Sequence, residues 1–190
     1  QPLEDRAVTI SRALHAIRYP ASFLLLAAMN PCPCGYLGDI RRSCSCGAEG
    51  IRRYRIRISG PLLDRIDLHV EVSAVPWNEL SGDRAGESSL VIRKRVNLAR
   101  ARQRERFGEH GPPFNAAMRS RDVKRHCHPS PKALGLLENA IDRLGLSARA
   151  YVRILKVART IADLEGSRGI GTTHVAEAIQ YRTLDRRDAG

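Results

Sequence analysis

Phe23-Leu24-Leu25-Leu26-Ala27-Ala28-Met29-Asn30-Pro31-Cys32-Pro33-Cys34-Gly35-Tyr36 joins an unbroken apolar run to a polar pair and then to closely spaced cysteines. Apolar residues at every position from 23 to 29, stopped by Asn30-Pro31, read as a strand buried on both faces. In open α/β sheets, ligands sit beyond the carboxyl ends of such strands. Asn30 is therefore placed to offer an amide, donor and acceptor together, to a water or a phosphate oxygen. An Asn before Pro also forms turns, and at this level both readings stand.

Outward from that run, Val8-Thr9-Ile10-Ser11 alternates apolar and polar residues, and Ala16-Ile17-Arg18-Tyr19 pairs with it as a hairpin ended by Pro20. Downstream, Ser59-Gly60-Pro61 breaks the chain. Ile66, Leu68, Val70 and Val72 then alternate with polar residues, as a strand does. Residues 73–89 hold Pro76, Gly82, Gly86, Ser88 and Ser89 without periodicity and read as a linker. Everything beyond is helical in pattern. Ile92, Val96, Ala99 and Phe107 mark one helix over Leu90 to Phe107. Leu134, Leu137, Ile141 and Leu144 mark a second, stopped by Gly145. Tyr151, Ile154, Leu155, Ala158, Ile161 and Ala162 mark a third with Ser147 as N-cap. A last helix, capped by Thr172 or Thr173, buries Val175, Ile179 and Ala176. The expected architecture is an α/β layer over 1–72, a linker over 73–89 and an all-α domain over 90–190.

The chain has 190 residues, 43% apolar and 27% charged, which fits a soluble globular protein with a real core. No apolar run approaches the ~20 residues that span a bilayer, so no membrane partner is expected. The start has no basic stretch followed by an apolar one, so no secretory signal is read and the expected compartment is the cytoplasm. The chain opens in mid-pattern without Met and reads as a fragment.

Net charge is +12, a field that favours polyanions such as nucleic acid. The excess is concentrated. Arg93, Lys94, Arg95, Arg100, Arg102, Arg104 and Arg106 face only Glu105 in their helix, and Arg52, Arg53, Arg55 and Arg57 form a second cluster. Phosphate contact is one reading and a solvated face the other. Aromatic residues are only 5% of the chain, so contact with DNA is expected to be independent of base sequence.

Five cysteines without a secretory signal argue against a disulfide framework. Cys32-Pro33-Cys34 and Cys44-Ser45-Cys46 form two C-x-C pairs with nine residues between them. Four thiolates suit tetrahedral Zn²⁺, although structural sites more often space each pair by two residues. His126-Cys127-His128 reads as a polar loop, with a second metal site as the alternative. Two further spots can meet phosphate. Arg65, at the mouth of the strand that follows Gly60-Pro61, has the fork geometry for it, unless Asp64 or Asp67 holds it. Arg149 lies in the first turn of the third helix, and Arg153 follows one turn later.

Gln1 to Asp5, Val8 to Ala13, Ala27 to Tyr36, Ser59 to Val72 and Ser147 to Leu164 together resemble the magnesium-chelatase-like AAA+ ATPases of the ComM/YifB type, over nearly the whole chain. The resemblance implies the C-terminal part of a P-loop AAA+ α/β core with a Cys-rich insertion at 32–46, followed by a helical lid. It implies Asn30 as sensor 1, Arg65 as an arginine finger reaching a neighbouring subunit, and Arg149 as sensor 2 with Arg153 as competitor. It also implies ATP with Mg²⁺ in the full-length protein, a homohexamer, and a DNA motor of the branch-migration kind used in natural transformation. A phosphate loop needs G-x-x-x-x-G-K-[ST] between strand and helix. Gly166 to Thr172 lacks the lysine and follows a helix, and no apolar strand ends in Asp-Glu. The chain by itself is therefore expected not to hydrolyse ATP. Two other readings remain: the motor subunit of a metal chelatase, and a non-enzymatic, zinc-stabilised DNA-binding module.

Overall fold

In the computed structural model of the protein, the structure describes residues 2–12, 15–73, 75, 86–182 and 184. The chain divides into two units, Gln1–Arg65 and Ile66–Gly190. Most of the expected linker, 74 and 76–85, lies outside the described residues.

The first unit opens with a short helix, α1 (Pro2–Asp5), and the expected hairpin. Strand β1 (Ala7–Arg12) pairs antiparallel with β2 (His15–Pro20), with Val8 opposite Tyr19 and Ile10 opposite Ile17. Helix α2 (Ala48–Arg55) follows the cysteine loop, and a single turn, α3 (Gly60–Leu63), starts at Ser59-Gly60-Pro61. The sequence reading saw only a basic stretch where α2 lies. The apolar run 23–29 acquires no ladder partner among the described residues, and Leu24 and Leu26 are 94% and 93% exposed. A strand's backbone groups need a neighbouring strand to pair with, and the only ladder described is β1–β2. The alternating stretch 66–72 is likewise without a ladder partner. Among the described residues of this unit, Cys32 alone is buried.

The second unit is helical. Helix α4 (Ser89–Phe107) begins where Ser88 Oγ accepts the Val91 N–H, and it ends at Gly108. A 3₁₀ turn (Asn115–Ala117) and α5 (Ser120–His126) lead to α6 (Pro131–Leu144). There Ser130 caps, Pro131 supplies its preset φ in the first turn, and Gly145 stops the helix at φ +60. Helix α7 (Ala148–Glu165) is capped by Ser147, as its sequence predicts, and α8 (Thr172–Gln180) completes the unit. The N-cap of α8 is Gly171 rather than a threonine. His174 Nδ1 accepts the Gly171 N–H at 2.9 Å, so a residue inside the helix turns back to do the capping.

Leu137, Leu146, Ile154, Leu155, Ala158, Ala162, Ile170 and Val175 form the centre of one core drawn from α6, α7, α8 and the loops between them. These are largely the stripes read from periodicity. Helix α4 departs from its pattern: Ala99 is buried and Phe107 packs on the core, whereas Ile92 and Val96 stay exposed. Among the described residues, no helix is long and apolar enough to cross a membrane.

Candidate metal centre and arginine sites

The cysteine loop reverses twice at glycines whose φ of +84 (Gly35) and +85 (Gly38) an L side chain rarely adopts. Asp39 Oδ1 accepts the Arg41 and Arg42 N–H groups at 2.6 and 3.0 Å, and Tyr36 Oη accepts from Arg42 at 2.7 Å. This folding brings Cys44 and Cys46 back onto Cys32 and Cys34. The Sγ–Sγ distances are 3.4 Å for Cys32–Cys34 and 3.6 Å for both Cys32–Cys44 and Cys34–Cys44. All four sulfurs lie within 4.8 Å of one another, and none is in a disulfide. A zinc–sulfur bond of about 2.3 Å in a tetrahedron sets sulfurs about 3.8 Å apart. The cluster therefore has the size of a four-thiolate metal site and can hold a metal ion. Cys46 Sγ also accepts the Cys34 N–H at 3.4 Å. A hydrogen bond from the Tyr36 backbone is the main cause that holds the Cys34 thiol down at about 5. Cys44 is pushed up to about 12: contact with the Cys46 backbone opposes the rise, and desolvation and the Cys34 and Cys32 sulfurs outweigh it. Four neighbouring sulfurs cannot share negative charge cheaply without a cation among them.

Asn30 is exposed at the end of the apolar run, and a Cβ placed on Gly35 would lie 4.0 Å from its Nδ2. Arg65 folds back within its own unit. Its Nε donates to Glu4 Oε2 at 3.1 Å and its Nη1 to the Pro61 carbonyl at 2.6 Å.

In the second unit, Arg149 is exposed in the first turn of α7. Arg153, one turn on, is 16% exposed and forms an ion pair with Asp67. The sequence left these two arginines as competitors, and the structure gives them different surroundings. The stretch that carries Asp67 is itself pinned: the His69 N–H donates to the Tyr181 carbonyl at 2.8 Å, and buried Arg182 donates to the Ile66 carbonyl. Sequence reasoning missed Arg182 because nothing local distinguishes it from the other basic residues near the end of the chain.

The arginines of α4 fall into two groups. Arg93 and Arg104 are exposed. Arg95 makes a two-pronged contact with Glu87 at 2.8 and 3.0 Å, and Arg100 lies 5.1 Å over the Phe114 ring. Arg102 donates to the Asp163 carbonyl at 2.6 Å. Arg106 belongs to a buried hub. The wholly buried Asp163 carboxylate accepts from Arg106, from Asn115 Nδ2 at 2.8 Å and from Arg159 Nε at 3.2 Å. Desolvation pulls Arg159 below the usual guanidinium range and Asp163 opposes it. One signal of this hub was present in the sequence: Arg159 and Asp163 sit one turn apart beside an apolar stripe.

Cys127 lies in the helical core, its thiol pushed up to about 11 by burial and its Sγ 4.0 Å from Met118 Sδ. His126 packs edge-on against Phe107, and His128 contacts the Arg125 carbonyl. Among the described residues, the four-cysteine cluster is the one grouping able to hold a metal. The basic cluster at 52–57 proves to be organised by α2. Pro33, Gly50, Arg53, Tyr54 and Arg57 line a cleft of about 430 Å³.

Comparison with known proteins agrees along the chain. The family described as magnesium chelatase, subunit ChlI, matches residues 1–80, and the one described as magnesium chelatase, subunit ChlI C-terminal, matches 86–182. Competence protein ComM of Haemophilus influenzae is 47% identical over 189 residues, which is 98% of this chain and 36% of that protein. Uncharacterized protein YifB of Escherichia coli is 42% identical over 188 residues, again 98% and 36%. The chain thus spans little more than a third of the length of these relatives. It belongs to the magnesium-chelatase-like family of ComM and YifB.

Proposed function

We propose that the chain is the C-terminal part of the ATPase region of a ring-forming AAA+ motor that works on DNA, as a ComM-like protein of natural competence. In this reading residues 1–72 complete the α/β layer and its Cys-rich insertion, residues 73–89 link, and 90–190 form the lid. The exposed run 23–29 and the stretch 66–72, which has no ladder partner among the described residues, would then be strands that find their neighbours in the remainder of the sheet. ATP and Mg²⁺ bind chiefly to the phosphate loop and acidic pair of the full-length protein. Asn30 orients the attacking water. Arg65 exchanges its exposed contact with Glu4, a kind worth little in water, for the phosphate of a neighbouring subunit. Arg149 contacts its own subunit's nucleotide. A guanidinium that meets the charge developing on the transferred phosphoryl group is worth roughly 10³–10⁵ in rate.

The observation that carries the lid assignment is the contrast on α7. Arg149 is exposed in the first turn, and Arg153 is half-hidden in its pair with Asp67. Arg153 then shapes the lid, and Arg149 is the nucleotide contact. A second reading, the motor of a metal chelatase, is favoured by the name of both matching families. It uses the same ATPase residues on a protein partner. DNA-stimulated hydrolysis by the full-length protein separates the two readings.

The roles of the arginines are tested by mixing full-length mutants. Arg65→Ala and Arg149→Ala should each cut hydrolysis by about 10²-fold or more. Arg65→Ala mixed with a phosphate-loop lysine mutant should regain part of the activity, since some interfaces then carry both intact halves. Arg149→Ala in the same mixture should regain none. Rescue in the opposite pattern means that the roles are exchanged.

A further inference from the structure

We propose that the four thiolates hold one Zn²⁺ as a closed structural clasp, and that the clasp presents the outer face of α2 to nucleic-acid phosphate. The DNA half of this inference rests on the motor reading above; the metal half does not.

The sulfurs of Cys32, Cys34 and Cys44 lie 3.4–3.6 Å apart, and all four lie within 4.8 Å, which matches the edge of a tetrahedron around one soft cation. Tetrahedral four-sulfur sites take zinc or iron. With four protein ligands, no position stays open for a substrate, so the role is structural. Cys32 is the one buried residue among those described in this unit, so a metal held there would fix a loop that has little core of its own.

What the clasp holds follows directly in the chain. Cys46 is followed by Gly47, the N-cap of α2, and Arg55 ties the helix back to the loop by donating to the Pro31 carbonyl at 3.4 Å. Gly50, Ile51, Tyr54, Arg55 and Ile58 form the half-buried side of α2 and the turn after it. Glu49, Arg52, Arg53, Ile56 and Arg57 form the exposed side, at the i, i+3, i+4, i+7, i+8 spacing of one helical face. Arg52 and Arg53 touch Glu49 only loosely, at 3.4 and 3.9 Å, and both are about three-quarters exposed.

The clasp and this face share a wall. Pro33, from within the first cysteine pair, lines the cleft with Arg53, Tyr54 and Arg57. The metal thus sets the geometry of a basic cleft with an aromatic ring in it. Between residues 31 and 57 the arginines at 41, 42, 52, 53, 55 and 57 face Asp39 and Glu49 alone, so the segment stays positive even beside the −2 charge of a four-thiolate zinc. A face on which Arg52, Arg53 and Arg57 are opposed by Glu49 alone keeps a positive excess and suits a regularly spaced polyanion.

The test uses the full-length protein, metal analysis by mass spectrometry, and titrations with labelled single- and double-stranded DNA of two unrelated sequences at several salt concentrations. We expect about one zinc per chain. Arg53→Glu with Arg57→Glu should keep the zinc and lose at least 10-fold in DNA affinity on both sequences. Its log affinity–log salt slope should fall by about 2 on duplex, since two phosphate contacts are gone. Cys44→Ser with Cys46→Ser should lose both zinc and affinity. Arg93→Glu with Arg104→Glu, on α4, should change the slope less. Absence of zinc, or iron in its place, overturns the clasp. An unchanged slope in the α2 variant overturns the DNA face, whether or not the cysteine variant folds. Failure of the motor reading looks different: ATP hydrolysis indifferent to DNA, alongside zinc and α2-dependent DNA binding as expected.

Discussion

The two units of this chain are held together by different physics. The second has a core of packed apolar side chains and a buried polar hub, and the first has one buried residue, a cysteine. Hydrophobic burial scales with the amount of chain that can fold around a centre, and among the described residues of the first unit no apolar side chain other than Cys32 is fully buried. Its longest apolar run stays in solvent. With the proposed clasp, order in the two units would respond to different perturbations: side-chain deletion in one, ligand removal in the other.

The largest effect is expected at the hub. Asp163→Ala leaves the buried guanidinium of Arg159 and the half-buried one of Arg106 without their carboxylate, and should cost the second unit about 3–5 kcal/mol. Urea unfolding measures it. A loss below about 1 kcal/mol would remove the contrast between a hub-and-core unit and a stapled one.

Chelation probes the other side of the comparison. Stripping metal from the full-length protein should lower amide exchange protection in α2 by at least about 10-fold. Protection in α6, α7 and α8 should stay as it was. Equal loss in both regions would mean that the units are not energetically separate.

The smallest effect concerns the exposed run. Leu24→Ala or Leu26→Ala should change the stability of the 190-residue chain by less than about 0.5 kcal/mol. In the full-length protein, where the run is proposed to join a sheet, the same change should cost about 2–5 kcal/mol. Similar small values in both would sink the strand assignment.

The contrast also explains what the sequence disclosed. Periodicity and caps located the end of α6 and the start of α7, because Leu137, Ile154 and Ala158 face one contiguous core and Ser147 and Gly145 punctuate locally. The hairpin was legible for the same reason: alternation and register are short-range. Helix α2 was not, since the Ile51, Tyr54 and Ile58 side of it is short and shared with Gly50 and Arg55. The pairing of Arg102 and Arg106 with Asp163 was not legible, because Asp163 lies 57 to 61 residues away in the chain and such pairings leave no local trace. The four cysteines were legible as candidate ligands by type, whereas their convergence depended on Gly35 and Gly38 turning the loop.

The Asp163 hub also has a mechanical consequence. Along α7, Arg149 and Asp163 are separated by about 21 Å of helix. One end faces solvent, and the other is bolted through Arg106 and Asn115 to α4 and the turn beside it. A bar fixed at one end transmits torque instead of sliding. Motion imposed at the Arg149 end of α7 thus has a direct side-chain path to α4 through Asp163 and Arg106.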